Sequence, residues 1–129
     1  MQILGVDYGR KRIGLAWSDG PLASPLEVLE VKDVDQAMGE MALVMRDKEI
    51  DLVIIGVSER EMAKESKSFG KRIENELNVP VEYQDETLTT QDANKLAIEA
   101  QIGRGKRKRL GDAYAATLIL QAYLDRQEK

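Results

Sequence analysis

The sequence predicts an α/β domain built on a five-stranded mixed sheet, a three-strand meander followed by parallel strands, with helices on both faces. Three observations predict it. Residues 2–8, 12–18 and 26–31 read as successive strands joined by short turns. From Asp33 onward the apolar period switches from two to that of a helix. Residues 51–57, DLVIIGV, are apolar on both faces, the mark of a central strand covered by helices on each side. A chain of 129 residues is enough for one such domain, residues 1–129, and too short for two.

In the first strand Leu4, Val6 and Tyr8 face one way, while Ile3, Gly5 and Asp7 face the other. A tight turn at Gly9 leads into the second strand, and the LEVLEV stretch forms the third. Val34, Ala37, Met38, Met41, Ala42 and Met45 share a helical face, and Asp33 with Gln36 resembles a capping box. After the central strand, Ser58 and Glu61 are candidate caps for a helix whose stripe is Met62, Phe69, Ile73 and Leu77. Residues 80–83 form a short strand. Thr89 with Asp92 opens a helix through Ala93, Leu96, Ala97 and Ala100, residues 103–111 make a basic loop, and residues 112–126 a closing helix. The order β-β-β-α-β-α-β-α-α places helices on the faces of a mixed sheet, with right-handed crossovers between its parallel strands.

The residues that are missing narrow the chemistry. There is no Cys, hence no disulfide, thiolate nucleophile or Cys-based zinc site. There is no His either, which removes the Ser–His–Asp and Cys–His arrangements and the commonest ligand of zinc, iron and copper. Carboxylates, hydroxyls, Lys and Arg remain, a set that favours hard cations such as Mg²⁺ or Mn²⁺. The longest apolar run is far below a membrane span, and strand-like sequence begins at Ile3, so the reading expects no signal peptide, no membrane partner and a cytoplasmic protein. The net charge of −4 hides an uneven distribution, because Arg104, Lys106, Arg107, Lys108 and Arg109 lie within six residues.

Three acids are candidates for chemistry. Asp7, at the end of a central strand, either holds a divalent cation that offsets its burial or hydrogen-bonds the turn at Gly9. Glu86 follows the fifth strand, where sites gather in open α/β sheets, or it is a loop acid near a helix start. Asp112 opens the closing helix, where an Asp is also an ordinary cap. Together they can converge if that helix packs across the sheet edge. A pair of divalent ions held there would let a protein without His hydrolyse a phosphodiester. The basic run before Asp112, with Arg12 beside Asp7, is either a solvated loop or a phosphate-gripping surface.

At these residues the chain resembles the YqgF family, the pre-16S ribosomal RNA nucleases also described as Holliday-junction-resolvase-like. The resemblance rests on GVDYGRKRIGLAWSD from Gly5 to Asp19, on DETLTT from Asp85 with Ala93, and on Asp112 with Ala115, Ala116 and the segment from Ile119 to Leu124. It covers essentially the whole chain. It implies an RNase H-like fold and an endonuclease whose metal-binding acids are Asp7, Glu86 and Asp112, with two ions of Mg²⁺ or Mn²⁺. It implies 5′-end processing of pre-16S rRNA during ribosome biogenesis, with Holliday-junction DNA as the alternative substrate. A monomer or weak homodimer is expected. Two features depart from the family pattern: Gly56-Val57-Ser58 stands where Gly-x-Pro is common, and Thr87 where Arg is usual. Two competing readings are an actin-like nucleotide-binding domain, for which the chain is too short, and a non-catalytic nucleic-acid-binding module.

Overall fold

The computed structural model describes residues 1–57, 62–85 and 111–127, the last segment with side chains from Ala113 onward. Its strands are β1 (Ile3–Asp7), β2 (Arg12–Ser18), β3 (Ser24–Glu30), β4 (Leu52–Val57) and β5 (Val81–Asp85). The described helices are α1 (Val34–Asp47), α2 (Met62–Leu77) and α3 (Gly111–Gln127). The helix expected around Ala93 and the caps at Ser58 and Glu61 lie outside the described residues.

The strands form one sheet in the order β3-β2-β1-β4-β5. β1 pairs antiparallel with β2 and parallel with β4; β2 pairs antiparallel with β3, and β4 parallel with β5. The meander followed by parallel strands is the expected arrangement. It puts β1 at the centre, where its apolar residues are buried from both sides.

The alternation of β1 sorts the core into two. Leu4 and Val6, with Ile13, Leu15, Val53 and Ile55, pack beneath Met38, Met41 and Met45 of α1 and Phe69 and Ile73 of α2. Ile3, Ala16, Leu52 and Ile54 face the other way and pack against Ala116, Ile119, Leu120, Tyr123 and Leu124 of α3. Gly5 is the point of closest approach: a Cβ there would lie 2.7 Å from Leu120 Cβ and 3.0 Å from the Ala116 carbonyl oxygen. Only hydrogen at this position lets α3 rest on β1.

Local signals set the helix ends. Asp33 caps α1 by accepting from Gln36 N–H at 2.8 Å, and the Gln36 side chain accepts in return from Lys32 N–H at 2.7 Å. The helix closes at Glu49, whose left-handed backbone (φ 52°) is matched after α2 by Asn78 (φ 56°).

Two strand boundaries differ from expectation by two residues, the others by one or none. β3 begins at Ser24 rather than Leu26, because an irregularity between Leu15 and Ala16 lets Pro25 lie opposite Ala16, and an edge strand tolerates a proline. β5 runs on to Asp85 rather than ending at Tyr83, since Gln84 and Asp85 still pair with Gly56 and Val57. Those two polar residues carry β5 to the same edge of the sheet as Asp7.

Candidate catalytic site

β1, β4 and β5 are mutually parallel, so Asp7, Val57 and Asp85 end at one carboxyl edge. Asp7 is half-buried and pairs with Gly14 of β2. One step beyond the pair Val6–Ile55 it is level with Gly56, which in turn pairs with Gln84. The row across the sheet is therefore Gly14, Asp7, Gly56 and Gln84. Its side chains face α3, because Glu82, two residues before Gln84, accepts a hydrogen bond from Tyr123 Oη of α3 at 3.2 Å. The residues level with Asp7 in the adjacent strands, Gly14 and Gly56, are both glycines and add no side chain to the sheet surface at this edge.

The direction of α3 follows from two contacts near its end. The Gln121 side chain accepts from Ala23 N–H at 2.9 Å and donates to the Pro21 carbonyl at 3.0 Å, which ties it to the β2–β3 turn. Tyr123 meets Glu82 near the start of β5. Both lie at the edge opposite Asp7, so α3 runs back along β1 with its N-terminus toward the carboxyl edge. From Gly5 to Asp7 the strand advances about 6.7 Å. At about 1.5 Å per residue a helix covers that distance in four or five residues. Counted back from Ala116, this brings the first turn of α3, which contains Asp112, level with Asp7. The helix starts at Gly111, so Asp112 stands inside the first turn rather than before it. An N-terminal turn aimed at this corner favours negative charge there.

The β1–β2 turn is anchored from the other face. Tyr8 stacks on Phe69 of α2 with ring centroids 4.5 Å apart. Arg10 forks onto Glu65, with Nη2 at 2.8 Å and Nε at 3.0 and 3.1 Å from the carboxylate oxygens. The Arg10 hydrogen bond holds the Glu65 carboxyl below its ordinary pKa, while burial, and then the Glu65 charge, raise that of Tyr8. Arg12, the first residue of β2, is exposed at the same edge as Asp7.

Asp7 and the backbone of Asp112 thus approach one corner, and Arg12 borders it. Glu86, the residue after Asp85, lies outside the described residues, as do Arg104, Lys106, Arg107, Lys108 and Arg109. Among the described residues no three His, Cys, Asp or Glu side chains gather closely enough to hold a metal ion. Two described donors on the α3 face of this edge, the Asp7 carboxylate and the Gln84 carboxamide, are hard oxygen ligands that fit Mg²⁺ or Mn²⁺. Gln84 is a site neighbour that sequence reasoning missed; extending the β5 alternation by two residues would have found it.

Residues 1–126 match a protein family described as "RuvX: Holliday junction resolvase". A Streptococcus mutans protein named "Putative pre-16S rRNA nuclease" is 38% identical, over 98% of this chain and 99% of its own. A Streptococcus equi subsp. zooepidemicus protein of the same name is 40% identical, over 97% and 98%. Among solved structures, T. thermophilus RuvC in complex with a Holliday junction substrate superposes with a TM-score of 0.67 at 17% identity, covering 99% of this chain and 96% of that one. A fowlpox virus resolvase in complex with Holliday junction DNA gives 0.66 at 16% identity, with both chains fully covered. The fold is that of these resolvases, RNase H-like as the sequence resemblance implied.

Proposed function

The chain belongs to the RuvX family, and from that membership we propose a specific reaction: metal-assisted endonucleolytic hydrolysis at Asp7, Glu86 and Asp112, acting on pre-16S rRNA. The chain is a nuclease, a hydrolase of phosphodiester bonds. The observation that carries the site is the meeting of the two ends of the chain, with α3 turned so that its first turn lies level with Asp7 at the carboxyl edge. That arrangement also supports the expectation that Asp112 does more than cap a helix.

Asp7, Glu86 and Asp112 would hold Mg²⁺ or Mn²⁺, two ions in all. When bound, such cations make water a better nucleophile and offset charge on the departing oxygen. Asp7 fixes the position of the site, because its backbone belongs to the central strand and its flanking glycines leave room for a phosphate to approach. The α3 N-terminal turn favours the phosphate's charge electrostatically. Arg12 and the basic run at residues 104–109 would grip the flanking backbone, which recognises shape and charge rather than base identity. No described helix is long and apolar enough to cross a membrane. The protein would act on ribosomal precursors in the cytoplasm, as a monomer or weak homodimer.

The test is cleavage by purified protein of a precursor RNA carrying the 16S 5′ end, against a four-way DNA junction, with Mg²⁺ or Mn²⁺. Cleavage of the RNA, abolished by Asp7→Asn and by chelation of the metal, is expected. Preferential cleavage of the junction would move the substrate to DNA. Full activity of Asp7→Asn would remove the site from Asp7 altogether.

A further inference from the structure

Gln84 is 3% exposed, and its Oε1 atom has no hydrogen-bond partner among the described residues. A buried amide oxygen left unpaired costs about 1–3 kcal/mol, so such a group in a strand calls for a reason. Nε2 donates to the Asp85 carbonyl at 3.4 Å, so exchanging the amide's O and N would set two oxygens against each other there. The position explains more than the burial does. Gln84 shares the α3 face of the sheet with Asp7, separated from it only by Gly56. Two strand spacings put the two Cα atoms about 9.6 Å apart. A Gln and an Asp side chain that lean toward each other across a glycine span that distance with room for a small ligand between their oxygens.

We propose that Gln84 is an additional oxygen donor of the site, its carboxamide completing the surroundings of the divalent cation held by Asp7. The inference rests on the reading of Asp7 as a cation-holding acid and adds a neutral donor to it. A carboxamide suits the place: it supplies a hard oxygen without a further negative charge among carboxylates that already repel one another. It also gives the polar end of β5 a purpose, since an apolar side chain at position 84 would satisfy the core equally well.

The experiment uses Mn²⁺ alone, titrated into the whole protein and followed by electron paramagnetic resonance of the free ion. Thermal unfolding of the metal-free protein is recorded alongside. Gln84→Met is expected to weaken Mn²⁺ binding about tenfold, the scale on which supporting groups act at metal sites. Its metal-free thermal midpoint should stay level or rise, because the orphaned oxygen is gone. Gln84→Glu, which keeps an oxygen at the same reach and covers the case of a poorly folding Met variant, is expected to bind Mn²⁺ more tightly than the parent. If Gln84→Met binds Mn²⁺ like the parent while Asp7→Asn does not, the inference about Gln84 is overturned and the Asp7 reading stands. Glu at position 84 without any gain in affinity counts against it in the same way. If Asp7→Asn itself binds like the parent, the site reading and this inference fail together.

Discussion

Tyr8, Gly9 and Arg10 follow Asp7 directly, and each is held by a different force. Tyr8 is held by ring stacking on Phe69 and Arg10 by a forked ion pair with Glu65. Gly9 is required because a Cβ there would come within 2.6 Å of the Arg12 carbonyl oxygen. The result is a turn anchored on both sides of Gly9, which leads directly into Arg12. The ion pair gives this anchoring a pH dependence. The Arg10 guanidinium lowers the Glu65 carboxyl pKa in the folded protein. Its contribution is therefore fully present above the ordinary Glu value of about 4.3 and fades as pH falls through the lowered one. Glu65→Gln should be slightly less stable than the parent at neutral pH, and the two should converge in strong acid. Because the pair is exposed, the neutral-pH gap should also shrink in high salt. Thermal midpoints across a pH series check this, and a gap that widens toward acid would contradict it. At the scale of single residues the sequence was informative where a side chain has few alternatives, as at Asp7 beside Gly9. It was silent on Glu65, since nothing in a helical stripe says which exposed acid a distant arginine will meet.

α3 carries the site at the scale of elements, and Gly5 controls where α3 sits. A methyl group at position 5 would meet Leu120 at its Cβ and Ala116 at its backbone oxygen, neither of which can swing aside. Gly5→Ala should therefore destabilise the protein by about 1–3 kcal/mol through overpacking. The helix would be pushed away from β1, carrying its first turn away from Asp7, so cleavage should fall further than the loss of folded protein explains. Urea unfolding with activity measured on the folded fraction separates the two; activity that merely tracks the folded fraction would show that helix position is irrelevant. Leu120→Ala, which leaves a cavity under the same helix, should cost about 2–5 kcal/mol. The order and type of the described elements were legible because hydrophobic period reports burial directly. The misplaced boundaries have separate causes. β5 was cut short at Tyr83 because Gln84 and Asp85 are polar, and polar residues at a strand's carboxyl end are what a site there requires. β3 was begun late because Pro25 reads as a break, although an unpaired edge accommodates it. The orientation of α3 was not legible at all. It depends on Gln121 gripping the β2–β3 turn and on Tyr123 reaching Glu82, pairings that separate residues by 98 and 41 positions.

For the whole molecule the question is how a chain of net charge −4 binds a polyanion. Charge enters binding through its distribution, because each phosphate contact releases counterions locally whatever the sign of the protein's sum. The described helices and the β3 edge carry much of the acid, with Glu27, Glu40, Asp47 and Glu49 gathered on the side where α1 meets β3. Arg12 lies at the opposite, carboxyl edge, and the run from Arg104 to Arg109 precedes α3 in the sequence. On the proposed function, Arg12 and the basic run would meet the nucleic acid, and the acidic side where α1 meets β3 would face away. The measurable consequence is the slope of log affinity against log salt concentration. If Lys106, Arg107, Lys108 and Arg109 each contact one phosphate, neutralising all four should flatten that slope by about 3, at roughly 0.7–0.9 per contact. Affinity at low salt should drop steeply, while the variant and the parent should draw together as salt rises. Neutralising four charges on the acidic side would raise affinity by only a small amount, because at a Debye length of about 8 Å charges that touch no phosphate are strongly screened. A slope unchanged by loss of the four basic residues would mean that the run serves as a solvated connection into α3, and that Arg12 and the α3 N-terminus bear the phosphate contacts alone.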